Sequence, residues 1–389
     1  MKSLILIVLT LSASSLLGQN KINSKNLDRL MQEAQASNSS AVVIYQDNKL
    51  IKEWYTTQKP KPIATMSVTK SIVNLGIGLL LKEGKLNSID QHVCEFYPEW
   101  NQGKKKTITI RQLLNHTSGI QMGDNEVYPS YDAIQLALSA ELETDPGTAF
   151  YYNNKAVNLL AGIIEKASKQ RMDLYIAERL FEPLAITDYE WQGDKVGTPH
   201  AMADLILYPK DLAKIGLLVL QKGEWEGKQV IEASWIEEST KAGQIFKPTC
   251  GLLWWVEYSS VTYIVDDIQL KEIKDFYGSE LSEDFYAQLS EMKGTYESLD
   301  AFFTQFESVF GNNWKKKVCS KVDFRQVSLS RKKYGEPIGF SAQGAWGQWM
   351  YIYPDKNIVA VRMIDNYDTY NRTRDEFSEF GIRAYDLVK

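Results

Sequence analysis

The chain has 389 residues, enough for one large domain or two interleaved lobes, and an apolar share of 44% allows a sizeable core. A net charge of −5 excludes the basic footprint of a nucleic-acid binder, and Lys104-Lys105-Lys106 reads as a solvated loop. Cys94, Cys250 and Cys319 are odd in number and far apart, which excludes a disulfide framework or a zinc spacing but leaves one bridge open to an exported chain.

The first eighteen residues stand apart. Lys2 is followed by an apolar run from Leu4 to Leu9, a small polar stretch from Ser12 to Ser15, and a cleavage point at Gly18-Gln19. This layout predicts a signal peptide over residues 1–18, and a periplasmic or secreted protein over 19–389. The apolar run is too short to cross a bilayer, and no later stretch is long and apolar enough for a stable membrane span.

Next, Asn26 to Ala36 is predicted as a helix. Ala41 to Tyr45 and Leu50 to Tyr55 are strand-like around Gln46-Asp47-Asn48-Lys49, a hairpin signal. Ser71 to Lys82 is apolar on nearly every face, which places it in the core. Lys155 to Lys169 and Asp211 to Gln221 follow as helices, the latter ending in a turn at Gly223 and Gly227. Near the C-terminus, Gln348 to Tyr353 and Ile358 to Met363 flank a turn at Pro354-Asp355-Lys356-Asn357. Thr373 to Leu387 is expected to close the chain as an amphipathic helix.

Strands at both ends and helices between them predict a two-lobed α+β fold. One antiparallel sheet, flanked by helices, combines strands from distant parts of the sequence, and a mostly helical lobe packs beside it. Residues 257–335 read as a mainly helical insertion, with helices over Ser282 to Lys293 and Ser298 to Phe310. Phe302, Phe303, Phe306, Val309 and Phe310 form one stripe of the second helix. That stripe is expected to pack the insertion onto the body, with an aromatic wall over the active site as the rival reading.

Three segments carry candidate chemistry. A serine hydroxyl needs a nearby base, and a lysine three residues on along a helix puts Nζ beside Oγ. The spacing occurs at Ser67 to Lys70, Ser290 to Lys293 and Ser330 to Lys333. Only Ser67 heads the apolar core helix, where burial disfavours the ammonium of Lys70 and the helix N-terminus favours negative charge on a bound carbonyl. A plain helix N-cap is the competing role for Ser67. The second segment is Pro146 to Asn154. Either Tyr151 with Asn153 or Tyr152 with Asn154 can supply a proton-relaying phenol and a polar amide. The third is Phe340 to Gln348, where Gly344 lets a substrate backbone lie close and a following N–H can complete an oxyanion hole with that of Ser67.

Together these segments resemble the serine β-lactamase and penicillin-binding-protein superfamily. The closest branch is that of class C β-lactamase-related hydrolases: D-alanyl-D-alanine carboxypeptidases, D-aminopeptidases, esterases of the β-lactamase fold and 6-aminohexanoate-dimer hydrolases. Leu113-Leu114-Asn115-His116-Thr117-Ser118-Gly119, Asp211 to Gly216, and Cys250-Gly251-Leu252-Leu253-Trp254-Trp255 are similar to further stretches of that family. The resemblance covers about residues 40–256 and 336–365.

The resemblance selects Tyr152 and Asn154 over Tyr151 and Asn153. It implies an exported serine hydrolase that forms an acyl-enzyme on Ser67, with Lys70 and Tyr152 sharing the base role. Asn154 would position Lys70 and substrate, Gln343 and Gly344 would bind substrate, and the N–H groups of Ser67 and Ala345 would form the oxyanion hole. No metal or organic cofactor is expected, and the partner is a small molecule or short peptide. Where the family carries Lys or His two residues before the third-segment glycine, this chain has Ala342. An efficient β-lactamase or carboxypeptidase is therefore not expected; neutral esters or amides are, unless Arg331, Lys332 or Lys333 replaces the missing cation. A D-amino-acid peptidase of cell-wall metabolism and a non-catalytic penicillin-binding sensor are the alternatives. His116 reads as structural, and no Gly-x-Ser-x-Gly elbow supports a Ser-His-Asp triad.

Overall fold

A computed structural model describes residues 21–323, 327–365 and 367–388. The expected signal peptide, residues 1–18, lies outside the described residues.

Six strands make the main sheet: β1 (Ala41–Gln46), β2 (Lys49–Tyr55), β3 (Trp255–Tyr258), β4 (Pro337–Gly344), β5 (Gln348–Tyr353) and β6 (Ile358–Met363). Their order is β2-β1-β6-β5-β4-β3, antiparallel throughout. The first and last parts of the chain meet at its centre, where Ala41 pairs with Met363 and Gln46 with Ile358. Both predicted hairpins are present. Asp47 and Asn48 take φ of 49° and 59°, the left-handed pair that a tight two-residue hairpin turn needs and that Asp and Asn tolerate.

Strand alternation gives the sheet two apolar faces. Val42 and Ile44 pack with Leu30 of α1 (Ser24–Ala36) and with Phe380 near the C-terminus. Ala41 and Val43 face a helical lobe built around α2 (Val68–Lys82), α3 (Asn154–Ser168) and α4 (Pro209–Leu220). Every residue of α2 from Val68 to Leu80 is buried. Full burial of each Leu, Ile or Val stabilises by about 1.5–3 kcal/mol, so packing rather than capping holds this helix. Among the described residues, no helix is long and apolar enough to cross a membrane.

Two expectations need correction. The predicted helix over Thr373 to Leu387 is broken into Arg372–Asp375 and Phe380–Tyr385, with Glu376 extended at ψ 126°. The cause is Arg362, which is fully buried on β6 and donates to Asp375 O (2.7 Å), Ser37 O (2.9 Å) and Ser39 Oγ (2.7 Å). A buried guanidinium must find acceptors, and the chain leaves the helix to supply one.

Residues 257–335 also differ from expectation. The two predicted helices occur, as Glu283–Ser290 and Leu299–Phe310. They are joined by an unpredicted helix, Asp267–Tyr277, and a three-stranded sheet of Val261–Val265 between Gly294–Tyr296 and Arg331–Tyr334. The phenylalanine stripe neither packs onto the body nor walls the active site. Phe302, Phe306 and Phe310 build a core internal to this segment, with Phe306 stacked on Trp314 at 4.3 Å and Phe302 on Tyr263 at 5.4 Å. Cys94, Cys250 and Cys319 are all free thiols.

Candidate active site

The approach to Ser67 is fixed by a short strand, Ile63–Ala64, paired with Leu205–Leu207. The Thr65 N–H and Oγ1 both donate to Leu205 O at 2.8 Å, and the Leu205 N–H donates to Thr69 Oγ1 at 3.3 Å. These bonds hold Met66 at φ 50°, a conformation that costs a non-glycine residue about 1–3 kcal/mol. The chain then enters α2 at Ser67.

Ser67 Oγ makes no capping bond, so the N-cap role is not the one it plays. Instead, Lys70 Nζ donates to Ser67 Oγ at 2.8 Å and to Met202 O at 2.6 Å. Lys70 is only 2% exposed. Met202 is itself held by its N–H on Asn158 Oδ1 at 3.1 Å. The other two Ser-x-x-Lys pairs are not assembled. Ser290 Oγ donates to Tyr286 O and Lys293 pairs with Asp267, while Lys333 lies on a strand, where residues three apart face opposite ways.

Tyr152, not Tyr151, reaches this pair. Its ring centroid lies 5.0 Å from Lys70 Nζ, between the ring of His116 (4.5 Å) and that of Trp255 (6.1 Å). Asn153 caps α3, accepting the Ala156 N–H at 3.0 Å and donating to Ile120 O at 2.7 Å. Asn154 is buried, and its Oδ1 has no hydrogen-bond partner, so the expected bond from Lys70 to that oxygen is not made.

His116 is buried at φ 60°. The Asn153 N–H donates to its Nδ1 at 3.2 Å, which puts the ring proton on Nε2. Burial, then the nearby charge of Lys70, pushes its pKa down to about 3. A neutral ring against Tyr152 accords with the structural role read from the sequence, which did not name Tyr152 as the neighbour it braces. His200 bonds Asp204 at 2.6 Å, but Ser67 Oγ is held by Lys70 rather than by a histidine.

The third wall is β4. β3 pairs with it only as far as Ser341, and beyond that point Gly344 lies against Thr65 and Ser67. Gly344 is also required by the packing of the chain itself. A Cβ there would lie 2.6 Å from Thr65 O and 3.0 Å from Ser67 N, so the chain's own loop occupies the space. Among the described residues, no turn or loop hydrogen bond takes the N–H of Ser67 or Ala345.

Gln343 borders the small pocket at Ser67 with Lys70, His116, Tyr152 and Trp255. Its amide is committed elsewhere, donating to Glu257 Oε1 (3.1 Å) and Ser341 Oγ (2.9 Å). Burial pushes the Glu257 carboxyl up, and hydrogen bonds donated to it by Ser341 Oγ and the Gln343 amide offset part of the shift. Ala342 is fully buried in the core. Tyr152 also borders a larger cleft of about 950 Å³, lined by Tyr151, Phe246, Lys247 and Lys332 among others.

A model of the β-lactamase family matches residues 27–376. Protein flp of Staphylococcus aureus strain MW2 is 33% identical over 171 residues, 39% of this chain and 33% of that protein. The chain therefore spans about a third of the length of that relative. Among solved structures, a candidate 6-aminohexanoate-dimer hydrolase from Bacillus anthracis superposes with a TM-score of 0.63 at 17% identity, covering 93% of this chain and 82% of that one. The octameric penicillin-binding protein homologue from Pyrococcus abyssi gives a TM-score of 0.58 at 17% identity, over 94% and 76% of the two chains. Identities this low speak to the fold; the family match spans most of the sequence, and the chain belongs to the β-lactamase family.

Proposed function

We propose that this is an exported, class C-like hydrolase of esters or amides that works through an acyl-enzyme on Ser67. The observation that carries the reading is the 2.8 Å bond between Lys70 Nζ and Ser67 Oγ at the buried head of α2. As Oγ attacks the acyl carbon, its proton passes to the Lys70–Tyr152 pair, which returns it to the departing alcohol or amine. The N–H groups of Ser67 and Ala345 receive the developing oxyanion. Water then enters and attacks the acyl carbon as it loses a proton to the same pair, which passes that proton to Ser67 Oγ as the acyl–oxygen bond breaks and the acid leaves. Export rests on the leader pattern of residues 1–18.

The test is to trap the intermediate. Acid quench during turnover of a short-chain nitrophenyl ester is expected to leave one acyl group, which peptide mapping places on Ser67. Acylation of another residue, or turnover with no adduct in a Ser67→Ala protein that still hydrolyses the ester, would reject this nucleophile. Stable acylation without release would favour the sensor.

Substrate preference follows from Ala342. No cation can act from a buried alanine, so a carboxylate held beside the scissile carbonyl lacks the charged hydrogen bond that is worth about 1.5–3 kcal/mol. For a chromogenic cephalosporin, kcat/KM is expected at least about tenfold below that for a neutral nitrophenyl ester. Comparable values for the two would contradict the assignment.

A further inference from the structure

Beyond the small pocket, the larger cleft has walls from three parts of the chain. Met122 and Glu143 come from the helical lobe, Ile245 to Pro248 from the loop before Cys250, and Ser328, Ser330, Lys332 and Tyr334 from the end of the 257–335 segment. The last set alternates by two. That is strand periodicity, and it separates the three cations of Arg331–Tyr334. Arg331 is turned away and held by Asp266 at 3.1 Å, and Lys333 shares its parity. Lys332 faces the cleft, its Nζ 5.4 Å from the Tyr263 ring centroid.

We infer that Lys332 and Lys247 form an anion-binding subsite at the mouth of the active site, selecting esters or amides with an anionic group remote from the scissile carbonyl. This rests on the Ser67 reading and deepens it. Two ammonium groups on one cleft repel each other, and the cleft walls crowd the ammonium of Lys332, which stays solvent-exposed. Both effects lower the Lys332 pKa, with partial burial the larger. Glu143 borders the same cleft, yet the charge felt by Lys332 is that of Lys247. Neither lysine forms a salt bridge among the described residues. An anion bound by both relieves the repulsion and accepts two charge-assisted hydrogen bonds. Exposed Ile245, Phe246 and Met122 give the linking chain an apolar path. The cation absent at Ala342 is thus not replaced beside the carbonyl but moved outward, which separates this subsite from one for a β-lactam carboxylate.

The probes are nitrophenyl monoesters of dicarboxylic acids, from succinate to sebacate, each beside its methyl-capped neutral counterpart. At low salt the wild type is expected to prefer the best-fitting anionic ester by about tenfold in kcat/KM, and added salt should erode the preference. Lys332→Glu should abolish or invert that ratio, whereas Lys333→Glu, on the opposite face of the strand, should keep it. An anionic-to-neutral ratio near one, or one that Lys332→Glu leaves intact, overturns the subsite. A binding arm separates this from failure of the nucleophile assignment. Calorimetry on Ser67→Ala protein with the monoanilides of the same diacids should show carboxylate-dependent affinity that Lys332→Glu removes, whether or not any ester turns over. Tighter binding of a phosphonate-terminated anilide would assign the subsite to phosphate rather than carboxylate groups, and equal affinity for charged and capped anilides would overturn it.

Discussion

Lys70→Met is expected to lower kcat for a short-chain nitrophenyl ester by about 10²–10⁴, the range that positioned acid–base catalysis supplies. Methionine follows much of the path of lysine through the same buried space but cannot accept or return a proton. The lost donor leaves Met202 O without its 2.6 Å bond, a cost of about 1–3 kcal/mol for a buried acceptor. Against that, the variant no longer buries a polar amine. Stability should therefore move far less than turnover. Steady-state kinetics beside a thermal melt reads both quantities. Near-wild-type kcat in a folded Lys70→Met protein would remove Lys70 from the proton path and leave Tyr152 as the base. A loss of kcat matched by collapse of the melt would mean that Lys70 serves the fold.

The features legible in the sequence were those set by local chemistry or by long apolar runs. Asp47 and Asn48 announced one hairpin, and Pro354 to Asn357 announced the other. The apolar helix announced where Ser67 sits, because only a core helix could bury Lys70 beside it. Illegible features depended on partners far along the chain. Arg362 breaks the C-terminal helix at Asp375, and nothing near Asp375 in sequence reveals the buried guanidinium. Lys70 finds Met202 O, a main-chain atom that carries no residue signature. At Gly344 the sequence suggested room for a substrate but not the packing of Thr65 and Ser67 against it, because those neighbours lie far along the chain. The phenylalanine stripe had the right helical period, but period alone cannot tell a core inside residues 257–335 from an interface with the body. The alternation from Ser328 to Tyr334 was also visible in sequence, but without a strand assignment it could not choose Lys332 over Arg331 and Lys333.

His116 should make the protein acid-sensitive in a way that one substitution removes. In the fold its pKa is held near 3, against an ordinary value of 6.5, because burial and the charge of Lys70 oppose protonation. The unfolded chain takes up this proton first as pH falls. The stability linked to His116 is thus fully present above about pH 6.5 and is lost progressively down to about pH 3. Each unit between those limits is worth about 1.4 kcal/mol, so by about pH 5 the loss reaches about 2 kcal/mol. Among the described residues, the charge that bears on the ring is that of Lys70 and the titratable ring packed on it is Tyr152; neither is a carboxylate able to favour the imidazolium. Carboxylates held low elsewhere, Asp90 beside Arg111 and Asp375 beside Arg374, also lose stability in acid, so the informative quantity is a difference between two proteins. His116→Asn suits the comparison, because asparagine tolerates the left-handed φ of 60° at this position. The variant starts less stable at neutral pH, having lost the ring packed on Tyr152. Urea unfolding at about pH 7 and about pH 5 should then show a wild-type loss about 2 kcal/mol larger than that of the variant. Equal losses would mean that the imidazole takes up its proton in the fold as readily as in the unfolded chain, so that at about pH 5 Tyr152 rests against a cation rather than a neutral ring.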